Sequence, residues 1–136
     1  MPEFGRSAER RVTLGSVTLI WVGGSCGTAL RYLLGQAGLP GSGLAVILVV
    51  NVAGSLLLAG LTERLGSGAE GGRRRLRLLL GPGFLGGFTT YSALAVDTVL
   101  LASGSAPGRA AAYALGSVVL GVLAAVAGRQ LGRARP

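Results

Sequence analysis

The chain has 136 residues, half of them hydrophobic, with a mean hydropathy of +0.61 and a formal net charge of +8. It has no histidine and a single cysteine, Cys26, which excludes an internal disulfide and metal sites built on Cys or His. All 13 basic residues are arginines. They form no basic face with interleaved aromatics, so nucleic-acid binding is excluded, and the positive-inside rule for membrane proteins explains them instead.

In chain order, residues 1–11 form a basic tail. Residues 12–30, 32–62, 78–96 and 110–128 then carry no charged side chain. Each stretch approaches or exceeds the roughly 20 apolar residues that cross a bilayer core. A soluble helix of that length would show a polar face every three to four residues, and these do not. The expectation is an all-α integral membrane protein with four transmembrane helices, over about 12–34, 44–62, 76–101 and 109–131. The first run resembles a signal peptide, but Arg31 follows it without a small-residue cleavage site, so it reads as a retained helix. Turns are expected at 35–43, around Pro40, and at 103–108. The longest loop is 63–75, and 132–136 is a basic C-terminal tail. The domain 12–131 shows no internal repeat.

Charge sets the expected orientation. Arg6, Arg10 and Arg11, then Arg64, Arg73, Arg74, Arg75 and Arg77, then Arg129, Arg133 and Arg135 fall on one side. Arg31 and Arg109 fall near the other. That bias predicts both termini in the cytoplasm.

Glycine supplies 25 residues, against a usual share of roughly 7%. In lipid, small residues let helix backbones approach closely. Gly23-x-x-x-Gly27, Gly83-x-x-x-Gly87 and Ser117-x-x-x-Gly121-x-x-x-Ala125 fit that use and predict tight helix packing.

Polar groups at membrane depth mark candidate function. Asn51 sits in the middle of the second span, where it could form a packing hydrogen bond or face an ion. The third span contains Gly81-Pro-Gly-Phe-Leu-Gly-Gly-Phe-Thr-Thr-Tyr-Ser-Ala-Leu94, a run ill suited to one continuous helix. Broken backbone at this depth is tolerated where it is buried or lines an aqueous path. Freed carbonyls suit a cation, while freed N–H groups and hydroxyls suit an anion. A plain glycine kink is the alternative. Tyr113, Ser117 and Gly121 share a face of the fourth span. Asp97, the acid late in the third, is expected near a vestibule, either paired with Arg109 or Arg31 or tuning ion entry.

These residues carry a resemblance. Gly23-Gly-Ser-Cys-Gly-Thr-Ala-Leu-Arg-Tyr32, Asn51-Val-Ala-Gly-Ser-Leu-Leu-Leu-Ala-Gly60 and Gly83-Phe-Leu-Gly-Gly-Phe-Thr-Thr-Tyr-Ser92 resemble the Fluc (CrcB) family of bacterial fluoride channels, in order and at matching spacing. The resemblance implies an antiparallel dimer in the bacterial inner membrane with two narrow fluoride pores. It implies a structural sodium ion on the carbonyls of Gly86 and Thr89. It assigns Asn51, Phe88, Tyr91, Ser92, Leu94, Tyr113 and Ser117 to the pore, and Arg31 to the end of the first helix. The family pattern has two phenylalanines where this chain has Tyr91 and Leu94, and a threonine where it has Ala93. With the arginine bias, this departure predicts a heterodimer with an oppositely oriented paralogue as the alternative to a homodimer.

The function this implies is passive export of cytoplasmic fluoride, which lowers its toxicity. A non-conducting or partner-dependent subunit is one alternative. A small proton-coupled multidrug exporter is another, but it needs a membrane-embedded acid, and the first two helices offer none. No nucleophile lies beside a base and no cofactor fingerprint is present, so an enzyme is not expected.

Overall fold

A computed structural model describes residues 13–37, 43–66 and 70–134. The N-terminal tail, the turn at Pro40 and Arg135 lie outside the described residues. Every regular element among the described residues is helical. Four segments are long and apolar enough to cross a membrane: Leu14–Gln36, Gly43–Leu65, Gly71–Ser103 and Pro107–Arg133.

Helix α1 spans Leu14–Gln36 and opens with Thr13, whose side chain accepts from the Ser16 N–H. That bond satisfies one of the four N–H groups a helix start leaves without a partner. Helix α2 spans Gly43–Leu65. The third span is composite. Helix α3, Gly71–Leu78, carries Arg73, Arg74, Arg75 and Arg77 and starts ahead of the expected position near Leu76. A charge-free criterion cannot see such a basic helix leading into an apolar one. A π-helical stretch, Leu79–Leu85, follows and contains Pro82. A proline lacks the N–H of an α-turn and its ring crowds the carbonyl four residues back. The widened turn accommodates both, and the Gly86 N–H bonds back to the Gly81 carbonyl.

One turn, α4 (Gly86–Phe88), ends at Thr89, whose φ of −78° and ψ of 157° are extended. Thr90 is also extended, at φ −150° and ψ 123°, and its hydroxyl accepts from the Ala93 N–H to start α5, Tyr91–Ser103. The third span is therefore interrupted at Thr89–Thr90, after its glycine-rich motif. Helix α6 spans Pro107–Arg133, with Pro107 in its first turn, where a missing N–H is harmless.

Glycines set how the spans meet. A Cβ on Gly23 would strike Leu79 O and the Phe84 N–H group, and one on Gly27 would strike Phe84 O and the Phe88 N–H group. One on Gly87 would strike the Gly24 backbone. The two Gly-x-x-x-Gly motifs thus lie face to face, with α1 and the third span running parallel. A second small-residue seam joins α2 and α6. A Cβ on Gly128 would overlap the Leu56 backbone, and one on Gly132 would come within 3.0 Å of Gly60 O. The buried line of α6 is Ala110, Ser117, Ala124, Gly128 and Gly132. The expected seam through Ala125 is therefore corrected to Ala124 and Gly128, which continue the inward face a further turn. Glu63 closes this seam with ion pairs to Arg129 at 3.4 Å and Arg133 at 2.6 Å.

The core is small. Val50, Leu85 and Phe88 form its buried centre, with Leu34, Val46, Leu58, Leu61 and Phe84 packed around it. Most large apolar side chains point outward, among them Leu14, Trp21, Leu33, Val99 and Leu115. In water that surface would drive aggregation. Facing hydrocarbon, it is the expected exterior of a membrane bundle.

Candidate functional site

The interruption at Thr89–Thr90 rearranges the backbone hydrogen bonds around it. In a continuous helix the Thr90 N–H would serve the Gly86 carbonyl, and the Ala93 N–H would serve that of Thr89. Here the Thr90 N–H is donated to Asn51 Oδ1 at 2.8 Å. The Ala93 N–H is donated to Thr90 Oγ1 at 3.3 Å. Gly86 and Thr89 are left with carbonyls whose helical donors have gone elsewhere. Hard cations take oxygen ligands of this kind. The Gly87 carbonyl receives replacement donors from the first span, Thr28 Oγ1 at 3.2 Å and Arg31 Nε at 3.4 Å.

The other side of the break has the opposite character. Helix α5 starts there, so the N–H groups of its first turn and the positive end of its dipole lie at membrane depth. Thr90 Oγ1 and Ser92 Oγ stand 3.1 Å apart at that end. Asn51 Nδ2 donates one of its two hydrogens to the Thr90 carbonyl at 2.9 Å. The Asn51 amide therefore grips Thr90 by both its N–H and its C=O. One broken helix thus offers carbonyl oxygens on one side and donors on the other.

A groove of about 270 Å³ opens beside the break, lined by Asn51, Gly54, Ser55, Thr89, Tyr91 and Leu94 among others. Leu94 is buried, whereas Tyr91 is 82% exposed and projects from the single chain. Gly54 is required here, because a Cβ at that position would overlap the Thr89 methyl group.

The residues singled out by sequence divide into two groups. Asn51, Thr89, Tyr91 and Leu94 meet at the groove, with Ser92 adjoining through Thr90. Phe88 lies in the core, its ring stacked on Phe84 at 6.0 Å between centroids. Tyr113 and Ser117 are on α6 and are not part of the groove lining. Ser117 is buried and donates its hydroxyl to the Tyr113 carbonyl at 2.7 Å.

Asp97 does not take the expected arginine partner. It accepts from the Tyr113 hydroxyl at 3.2 Å, and that hydroxyl also lies 3.4 Å from Leu44 O. Arg31 is directed to the Gly87 carbonyl instead. Asp97 is on α5 and Tyr113 is near the start of α6, so the bond ties together helices that a short turn has already made neighbours.

Sequence reasoning missed Gly54, Ser55 and Thr90 as site residues. The signal for two of them was present: Gly54 and Ser55 follow Asn51 at helical spacings of three and four, which share its face.

A four-span membrane bundle with a small-residue first seam and a third span broken around carbonyls and donors is the class these features define. The chain belongs to the CrcB family. The model described as CrcB-like protein, Camphor Resistance (CrcB), matches residues 18–129. Fluoride-specific ion channel FluC 2 of Leifsonia xyli subsp. xyli is 46% identical over 122 residues, covering 88% of this chain and 84% of the relative. A fluoride-specific ion channel FluC of Thermus thermophilus is 45% identical over 124 residues, covering 85% and 92%. That of Phenylobacterium zucineum is 42% identical, covering 87% and 95%.

Proposed function

We propose that this chain is a subunit of a fluoride-selective ion channel in a bacterial cell membrane, which lets cytoplasmic fluoride leave down its electrochemical gradient without covalent chemistry. The observation that carries the reading is the broken third span in a chain whose relatives are named fluoride-specific channels over nearly their whole length. Fluoride is small and strongly hydrated, so a pore must replace lost water with donors. The second hydrogen of Asn51 Nδ2, the one hydroxyl hydrogen that the Thr90–Ser92 pair leaves over and the remaining first-turn N–H groups of α5 are such donors. No carboxylate lines the groove among the described residues, so no formal negative charge there opposes an anion.

The groove is one-sided, and Tyr91 projects from it, 82% exposed. An antiparallel second copy would cover this face and place aromatic edges over the opening. A sodium ion fits the same arrangement. The Gly86 and Thr89 carbonyls of two chains would supply four oxygens, and the ion would fix the two breaks against each other. Its chemistry is structural only.

The test is fluoride efflux from liposomes holding the purified chain, read with a fluoride electrode, with chloride efflux as control. Rapid efflux of fluoride and not chloride is the expected result. Absence of both, with the chain folded, would sink the reading of a channel formed by this chain alone.

A second reading has its own support. Tyr91 and Leu94 stand where the family pattern has two phenylalanines, and the sequence predicts most of the arginines on one side of the membrane. A partner-dependent subunit would conduct only beside an oppositely inserted paralogue. Co-reconstitution with that paralogue restores efflux under this reading and leaves it absent if the family assignment of function is misplaced.

A further inference from the structure

A cleft apart from the break lies at the end of the bundle where α1 starts and α3 leads into the third span. It has a volume of about 450 Å³ and is lined by Thr13, Ser16, Thr18, Arg74 and Arg75, with Leu19 and Leu78. Its two sides are separated in sequence by the whole of α2. The fold therefore brings two arginines and three hydroxyl side chains to one cleft.

Among the described residues, ion pairing joins Glu63 to Arg129 and Arg133, and neither Arg74 nor Arg75 has a carboxylate partner. The cleft lining joins two arginines and three hydroxyl side chains to two leucines, Leu19 and Leu78. A ligand matching that lining carries both an anion and hydrocarbon. The membrane that these spans cross is made of such molecules.

We propose that this cleft binds the headgroup phosphate of an anionic phospholipid, with Arg74 and Arg75 as its ligands and an acyl chain against Leu19 and Leu78. Arginine suits the role because its planar fork pairs two N–H groups with two phosphate oxygens. The site is separate from the groove at Asn51 and stands whether or not the channel reading holds.

Native mass spectrometry of the detergent-solubilised chain, titrated in turn with phosphatidylglycerol, phosphatidylcholine and inorganic phosphate, tests it. Phosphatidylglycerol should bind as a discrete adduct at concentrations where phosphatidylcholine does not, and inorganic phosphate should not displace it. Equal binding of both lipids would overturn the proposal. So would full displacement by inorganic phosphate, which would make the cleft a free-anion site. The double variant Arg74→Gln/Arg75→Gln should lose roughly 30-fold in phosphatidylglycerol affinity, as expected for two basic groups near an anionic surface. The charge-matched control Arg64→Gln/Arg109→Gln should lose little, and an equal loss in that control would mean bulk attraction rather than a built site. Should the double variant fail to fold, the three titrations of the unaltered chain decide the matter alone.

Discussion

Asn51 is the residue on which the site turns. Its type and depth are legible in the sequence, because an amide in mid-span needs a partner. The partner is not legible. It is the backbone of Thr90, 39 positions away, and it is available only because the third span breaks there. Asn51→Ala removes both hydrogen bonds and leaves the Thr90 groups unpaired, so it should lower stability by about 1–3 kcal/mol, measured by thermal unfolding in detergent. Asn51→Asp keeps the acceptor for the Thr90 N–H but loses the donor and adds negative charge. Fluoride efflux should fall at least about tenfold; unchanged efflux in Asn51→Asp would place the ion path elsewhere. Tyr91 and Leu94 should part company. Tyr91 is 82% exposed in the single chain, so Tyr91→Ala should shift monomer stability by no more than about 0.5 kcal/mol while suppressing efflux. Leu94 is buried, so Leu94→Ala should lower stability by about 2–3 kcal/mol.

At the scale of elements, the four spans follow from the charge-free stretches, because burying a charge in hydrocarbon is costly enough to shape the whole sequence. The pairing of Gly23-x-x-x-Gly27 with Gly83-x-x-x-Gly87 was half legible: each motif marks a close approach, but neither says which helix it meets. The α6 seam was legible only in part, since four-residue steps from Ser117 drift around the helix and the true inward line takes Ala124. The π-helical stretch was signalled by Pro82 between two glycines, though its turn width depends on packing against α1. Gly27→Ala forces a Cβ onto the Phe84 carbonyl and should destabilise by about 1–3 kcal/mol through overpacking. Gly116 has nothing near its would-be Cβ. Gly116→Ala should be neutral or slightly stabilising, since alanine is the better helix former. Paired thermal unfolding curves test both, and equal losses would contradict the seam.

For the whole molecule, the apolar exterior and the small core mean that stability depends on the bilayer more than on the interior of the single chain. Orientation is open to direct measurement. In a Cys26→Ala background, Ser105→Cys sits in the turn before α6 and Arg64→Cys at the far end of α2. A membrane-impermeant maleimide on intact cells should label the first and spare the second. Equal labelling of both would mean insertion in two orientations, which favours a homodimer. Cation exchange tests the centre of that assembly. Moving the protein from sodium to a large organic cation should lower both dimer stability and fluoride efflux, and indifference to sodium would remove the ion from the scheme.

The interruption of the third span is held from outside its own helix, by Thr28 and Arg31 of α1 on the Gly87 carbonyl and by Asn51 of α2 on Thr90. Translation delivers those three side chains first. By the time Thr89 and Thr90 leave the ribosome, the spans that receive them are already made. A circular permutant beginning at Gly71 would reverse that schedule and send bare peptide groups into lipid ahead of their clasps, where each unmet group costs several kcal/mol. Such a permutant should insert poorly even though its finished structure would contain every bond described here. The order of segments along the gene is thus part of how this break survives its own biogenesis.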